Sequence, residues 1–154
     1  MHDPEKRINR LFLLVGSGFF TGYSPYAPGT AGSILCIVIL WFIPPLSVIT
    51  YVIITFGVIA LGVLSASHLN TIYGEDSHII TIDEIAGMII SLIALPKSFS
   101  IWLLAFAFFR LFDIFKPPPI KTLEYLPGGF GVMADDIAAG IYANLCCQII
   151  IWIL

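Results

Sequence analysis

The stretch LSVITYVIITFGVIALGVL, residues 46–64, decides the fold, because it contains nineteen consecutive residues without a charge. As an α-helix it would be about 28 Å long, at about 1.5 Å per residue. A membrane-spanning helix needs roughly 20 mostly apolar residues. Residues 137–154 form a second uncharged run, of eighteen residues. Both runs therefore predict long apolar helices.

Shorter apolar runs complete the hydrophobic pattern. They comprise residues 30–43, 85–95 and 100–115. Pro44 and Pro45 end the first run and Pro96 ends the second, since proline lacks a backbone donor and interrupts a helix. We therefore predict an all-α fold: a compact membrane-embedded bundle of about five hydrophobic helices plus an apolar N-terminal segment. The sequence shows no repeat or linker, so residues 1–154 form one predicted domain.

The apolar N-terminal segment, residues 11–20, follows three basic residues and in this respect resembles a secretory signal peptide. The residues after it contain no clear small-residue cleavage site of the kind such peptides carry. We therefore interpret the segment as part of the mature protein.

The composition also indicates a membrane protein. Hydrophobic residues make up 58% of the chain and charged residues 11%, against about 45–50% and about 25% in soluble domains. A net charge of −3 and only seven basic residues argue against a nucleic-acid partner. Three cysteines, an odd number without metal-ligand spacing, argue against a disulfide scaffold or a zinc site. The composition therefore favours an integral membrane protein over these classes.

The charges are concentrated in one part of the chain. Residues 11–74 carry none, and eight of the ten acids lie within residues 75–136. If the basic N-terminus is cytoplasmic, as the positive-inside tendency suggests, five passes make residues 65–84 and 116–136 cytoplasmic loops. Every charge except that of Lys97 then lies on the cytoplasmic side. The tryptophans at positions 41, 102 and 152 lie at the opposite interface, where indole rings are favoured.

Four short strings with little apolar periodicity flank these helices on the charged side. They are GSGFFTGYSPYAPGTAGS (residues 16–33), HIITIDEIAGM (78–88), FRLFDIFKP (109–117) and GGFGVMADDIAAG (128–140). The first is neither a dinucleotide fingerprint nor a phosphate-binding P-loop, because its glycine spacing differs and no Gly-Lys-Ser/Thr follows.

Together the four strings resemble the phosphatidylglycerophosphatase A family of bacterial lipid phosphatases. One string would be a weak match, but four in the family's order over most of residues 16–140 are specific. The resemblance implies Mg²⁺-dependent removal of the terminal phosphate of phosphatidylglycerol phosphate, giving phosphatidylglycerol. It also implies a multi-pass protein of the bacterial cytoplasmic membrane with a phospholipid substrate and a site that faces the cytoplasm.

Acidic residues from three segments match that chemistry. Mg²⁺ prefers carboxylate oxygens, retained waters and substrate phosphate. The candidate metal ligands are Asp83, Glu84, Asp113, Asp135 and Asp136. The candidate catalytic residues are Asp83, Glu84, Asp113, Asp136 and His78. His78 could protonate the leaving alkoxide near neutral pH, or it could be an ordinary loop histidine.

Basic and hydroxyl side chains are candidates for substrate binding. Arg110 can hold a phosphate through two parallel hydrogen bonds, and Lys116 can act as a point charge. Residues 110, 113 and 116 recur every three positions and can share one face of a helix end. Thr30 and Ser33 lie near a predicted helix start, where backbone N–H groups favour anions.

Structural alternatives exist for several of these residues. Thr81 and Glu84 have the spacing of a capping box, so Glu84 could simply cap a helix. Asp135 or Asp136 could be the N-cap of the last helix, and Arg110 with Asp113 could be a simple ion pair. Gly140 indicates close helix packing.

Two other functions fit parts of the pattern. One is a phosphatase acting on another lipid or on a soluble phosphomonoester. The other is a non-catalytic channel or transporter subunit, which would be expected to place polar residues through the thickness of the membrane. The polar residues here cluster at one end of the predicted helices, which favours an enzyme working at the membrane surface.

Overall fold

The computed structural model describes residues 9–74 and 77–153, and within these ranges the chain is all-helical, with no strand. The elements are α1 (Arg10–Gly16), a 3₁₀ turn (Thr21–Tyr23), α2 (Pro28–Phe42), α3 (Val48–Tyr73), α4 (Ile82–Leu92), α5 (Phe99–Phe115), α6 (Ile120–Leu123) and α7 (Gly129–Ile153). The predicted all-α class is confirmed. The five predicted hydrophobic helices correspond to α2, α3, α4, α5 and α7.

Two of these helices are long and apolar enough to cross a membrane. By length and composition these are α3, with 26 residues, and α7, with 25. α2 has 15 residues and α4 has 11, shorter than the roughly 20 residues of a typical span.

Two helices extend into segments that were predicted to be loops. α3 continues to Tyr73, through part of residues 65–84, and α7 begins at Gly129, inside residues 116–136. The polar ends of both helices are stabilised by packing against each other. Gly129 lies against α3, where its backbone N–H donates to Ser67 Oγ at 3.0 Å. Hydropathy therefore located the apolar part of each helix and missed its polar end.

α4 lies at the centre of the bundle and contacts α2, α3, α5 and α7. It crosses α7 where two glycines meet: a Cβ on Gly140 would collide with the Gly87 backbone carbonyl. Ser91 Oγ donates to the Gly87 carbonyl at 2.8 Å, and Asn144 Nδ2 donates to the Ser91 and Ile93 carbonyls at 3.1 and 2.7 Å. The structure therefore shows the close packing predicted at Gly140.

Opposite ends of the bundle differ in chemistry. At one end the first turns of α2, α4 and α7 meet the last turns of α3 and α5 around a polar cavity. At the other end Lys97 Nζ donates to the Ile43 carbonyl at 2.6 Å and lies 5.6 and 5.9 Å from the ring centroids of Trp41 and Trp102. Trp102 lies at this end and packs in the core, with only 3% of its surface exposed, and its place at a membrane interface stays a prediction.

Candidate active site

The polar cavity has a volume of about 790 Å³ and is formed where these helix ends converge. All four sequence strings contribute to its lining. The predicted site residues that line it are His78, Asp83, Glu84, Arg110, Asp113, Lys116, Asp135 and Asp136. The fold therefore brings together residues that are up to 58 positions apart in the sequence (78 to 136).

Three carboxylates form a compact cluster at the base of this cavity. Asp83 and Glu84 lie in the first turn of α4, and Asp136 lies in α7. One oxygen from each can be chosen so that all three lie within 4.8 Å of one another. Oxygen atoms at this spacing could bind one hard divalent cation such as Mg²⁺.

The two carboxylates from α4 lie buried beside each other, and this raises their pKa values. Burial raises the pKa of Asp83 well above its usual value, and the neighbouring charge of Glu84 raises it further. Burial also raises the pKa of Glu84. Among the described residues, no hydrogen-bond partner reaches the buried atoms Asp83 Oδ1 and Glu84 Oε2. Because buried carboxylates normally find partners, these free oxygens fit a metal site.

Arg110 supplies unused donors next to the carboxylates. Its Nη1 atom lies 2.8 Å from Asp113 Oδ2, but the pair does not have hydrogen-bond geometry. The Nε and Nη1 atoms of Arg110 are both buried without a hydrogen-bond acceptor in the described part of the chain. A phosphate group can accept two parallel hydrogen bonds from a guanidinium. The simple ion pair considered for Arg110 and Asp113 therefore leaves donors available for an anion.

The first turn of α2 opens onto the same cavity. Its N-cap is Ala27, whose methyl side chain cannot accept a hydrogen bond from the first backbone N–H groups. Gly29 follows, and a Cβ there would collide with the Glu84 carboxylate and lie 3.1 Å from Arg110 Nη1. Uncapped N–H groups at a helix N-terminus are a favourable environment for an anion. Gly29 is a site residue that we did not predict, although its position in the first string was a signal.

Lys116 is paired with acidic side chains. It ends α5 in a left-handed backbone conformation, with φ of +42°. Its Nζ atom lies 2.7 Å from Asp135 Oδ2 and 3.4 Å from Glu124 Oε1. Burial alone would lower the pKa of Lys116, but the hydrogen bond and charge of Asp135 outweigh burial and raise it. Lys116 therefore stays charged.

This pairing separates the five predicted metal ligands into groups. Asp83, Glu84 and Asp136 form the cluster, whereas Asp135 pairs with Lys116 and Asp113 lies beside Arg110. Asp113 also lies within hydrogen-bonding reach of Asp136, and the direct-ligand role of Asp113 and Asp135 stays a prediction.

Of the three remaining predicted site residues, His78 lines the cavity, whereas Thr30 and Ser33 do not. His78 lines the cavity from an exposed loop position. Thr30 and Ser33 are absent from the cavity lining within the described chain. The Ser33 hydroxyl is buried and donates to the Gly29 carbonyl at 2.9 Å. The binding of phosphate by these two hydroxyls therefore stays a prediction.

The capping alternatives do not match the structure. Thr81 is the N-cap of α4 but makes no side-chain cap hydrogen bond, and its Oγ1 atom lies 2.8 Å from Thr21 Oγ1. Asp135 and Asp136 lie within α7, beyond its first turn, so neither is its N-cap. The acidic side chains therefore face the cavity without a capping role.

The fold and the site together define an all-helical protein whose polar cavity is lined by a cluster of carboxylates and an arginine. The family model of phosphatidylglycerophosphatase A matches residues 14–151. The chain belongs to this family and is a lipid phosphatase, a hydrolase of phosphoric monoesters. The family predicted from the four strings is confirmed.

Related proteins align over most of the chain. The phosphatidylglycerophosphatase A of Haemophilus influenzae is 39% identical over 92% of this chain and 91% of its own length. That of Escherichia coli is 37% identical over 83% of this chain and 76% of its own. A Bacteroides thetaiotaomicron protein named as a candidate phosphatidylinositol-3-phosphatase is 37% identical over 97% of this chain and 99% of its own length. No solved structure matches the chain.

Proposed function

We propose that this enzyme hydrolyses the terminal phosphomonoester of phosphatidylglycerol phosphate to phosphatidylglycerol and inorganic phosphate, with Mg²⁺ as cofactor. The observation that carries the proposal is the cluster of Asp83, Glu84 and Asp136 beside the unused donors of Arg110. An anion-binding group next to a cation site is the arrangement that phosphoryl transfer requires. The names of two relatives support the choice of substrate.

The three clustered carboxylates would hold the metal ion. The free oxygens of Asp83 and Glu84, next to the buried Asp136, fit a cation with a preference for oxygen ligands. When bound, Mg²⁺ supplies positive charge that offsets the negative charge of the phosphoryl group in the transition state. Removing the metal is therefore expected to abolish activity.

The remaining site residues orient the phosphate and move the proton. Arg110 and the first N–H groups of α2 would hold the non-bridging oxygens of the phosphate. Lys116 would add positive charge while its pairing with Asp135 keeps its position fixed. In hydrolysis the oxygen of a water forms the new bond to phosphorus, the ester P–O bond breaks, and the leaving oxygen gains a proton. His78, in the cavity lining, is the candidate donor of that proton.

A phosphatidylinositol phosphate is the second candidate substrate. The Bacteroides thetaiotaomicron relative, aligned over nearly the full length of both chains, is named for the 3-phosphate of that lipid. Both lipids present a phosphomonoester on a diacylglycerol anchor and differ in the group that carries it. The cavity of about 790 Å³ is large enough to require a direct comparison.

The test is phosphate release by the purified protein in detergent. We expect release from phosphatidylglycerol phosphate with Mg²⁺, loss of release in EDTA, and recovery when Mg²⁺ is restored. Phosphatidylinositol 3-phosphate and a soluble phosphomonoester serve as competing substrates under the same conditions. Faster turnover of phosphatidylinositol 3-phosphate would contradict the first choice of substrate, and full activity in EDTA would contradict the metal site.

The membrane arrangement is also a proposal. We propose a multi-pass protein of the bacterial cytoplasmic membrane whose cavity faces the cytoplasm. It is supported by the two helices long enough to span and by the separation of the polar cavity from Lys97 at the other end. Placing the phosphate site at an interface allows a lipid to keep its chains in the membrane during the reaction.

A further inference from the structure

A second concave surface, separate from the polar cavity, lies between α2 and α5. It is an apolar groove with a volume of about 370 Å³. Its lining includes Ile34, Val38 and Trp41 on α2 and Phe99, Leu103 and Phe106 on α5. Among the lining residues, only the indole N–H groups of two tryptophans are polar side-chain groups. Trp102 lines the groove while only 3% exposed, so it forms the floor.

The groove continues into the polar cavity along one face of α5. Phe99, Leu103 and Phe106 are spaced by four and then three residues, and Arg110 and Asp113 continue the same series. Residues with this spacing lie along one stripe of a helix. The first three line the groove and the last two line the polar cavity. Phe106 and Arg110 are one turn apart, about 6 Å along the helix axis.

α2, the other wall of the groove, also lines both the polar cavity and the groove. Its first turn, at Pro28 and Gly29, lines the polar cavity, whereas Ile34 and Val38 line the groove. Ile34 lies about one and a half turns after Gly29 along α2. Both walls of the groove thus lead to the atoms proposed to bind phosphate.

We propose that the α2–α5 groove binds one acyl chain of the phospholipid whose phosphate is hydrolysed in the cavity, an inference that rests on the proposed function. The phosphate lies at Arg110, and the chain runs from there along the groove toward Trp41. The groove lining from Phe99 to Phe106 extends about 10 Å along α5.

The chemistry of the lining selects a hydrocarbon chain. A headgroup, an ion or a peptide backbone would bury polar atoms with no side-chain acceptors to bind them, which is unfavourable. Leu103 and Phe99 are 54% and 71% exposed, so the groove is open to a chain entering from a surrounding lipid phase. A chain bound here contributes binding energy at a distance from the reacting phosphorus. This binding helps to position the phosphorus for reaction.

The experiment compares chain-length preference in variants that fill the groove and variants that do not. The groove variants are Val38→Trp and Leu103→Trp. The control variants are Ile53→Trp on α3 and Leu145→Trp on α7, which add the same bulk at exposed apolar positions outside the groove lining. Each is assayed on dipalmitoyl and dihexanoyl phosphatidylglycerol phosphate at a fixed surface concentration in mixed micelles, with the matching pair of phosphatidylinositol 3-phosphates in parallel.

We expect the parent enzyme and the controls to favour the long-chain lipid by about tenfold in kcat/KM, equivalent to about 1.4 kcal/mol. The groove variants should lose this preference while they keep their activity on the short-chain lipid, which also reports that they fold. Retained preference in the groove variants, or no preference in the parent, would overturn the acyl-chain site while leaving the proposed function intact. Failure of the parent to hydrolyse any of the lipids would overturn both.

Discussion

At Gly29 the backbone of α2 packs directly against Glu84 and Arg110. Replacing Gly29 with alanine would place a Cβ against the Glu84 carboxylate and 3.1 Å from Arg110 Nη1. We expect kcat/KM to fall by about 100-fold, because displacements of this size misalign reacting groups. The control is Gly57→Ala, since a Cβ at Gly57 meets nothing within 4 Å. Equal activity in the two variants would show that α2 does not help to form the site.

The clustered carboxylates allow a test that separates metal binding from folding. We expect Asp83→Asn to lose about 100-fold or more in kcat, because the metal loses one of its charged ligands. In EDTA the variant should be no less stable than the parent, since removing one buried charge relieves repulsion within the cluster.

Thermal unfolding in detergent, with and without Mg²⁺, provides the second measurement for Asp83→Asn. The midpoint of the parent should rise when Mg²⁺ is added, because the ion binds only the folded site. The midpoint of the variant should respond less. Turnover close to that of the parent would mean that the cluster does not hold the catalytic metal.

At the scale of elements, the α4–α7 crossing fixes the spacing of the carboxylates. Asp83 and Glu84 come from α4, Asp136 comes from α7, and the helices touch at Gly87 and Gly140. We expect Gly140→Ala to lower the free energy of unfolding by about 1–3 kcal/mol, because its Cβ would meet the Gly87 carbonyl. Unfolding of Gly57→Ala measured in parallel should show no such loss. A fully stable Gly140→Ala protein would mean that the crossing can relax.

The sequence was informative about which segments are helical and less so about where helices end. Uninterrupted apolar residues predicted the bodies of α3 and α7, but residues 65–73 and 129–136 are helical through packing that hydropathy does not record. The same limit affected the site. Asp135 stays a predicted metal ligand, and its pairing with Lys116, whose position depends on the left-handed end of α5, was not predictable. The convergence of the four strings was predictable, whereas the partner of each side chain required the fold.

For the whole molecule, the separation of charges predicts how the protein lies in the membrane. We expect a cysteine placed at Lys97 to react with an impermeant maleimide in intact cells, and one placed at Lys121 to react only after lysis. Lys97 lies beside Trp41 and Trp102, at the end of the bundle opposite the polar cavity. Lys121 lies in α6, next to the polar cavity. Each variant is made in a Cys146→Ser background, because that native cysteine is partly exposed whereas Cys36 and Cys147 are buried. The opposite labelling pattern would place the active site on the outer side.

The tryptophan positions have a spectroscopic consequence. Trp41 and Trp102 form an edge-to-face pair in the apolar groove, with ring centroids 5.4 Å apart, and Trp152 lies near the end of α7. None of the three lines the carboxylate cavity. In a Trp152→Phe background, which removes an indole that is 87% exposed, intrinsic fluorescence should therefore barely respond to Mg²⁺ but should be quenched by a lipid with a brominated chain. The native chain thus carries its own optical probe, which reports the hydrocarbon part of a bound lipid separately from the chemistry at its phosphate.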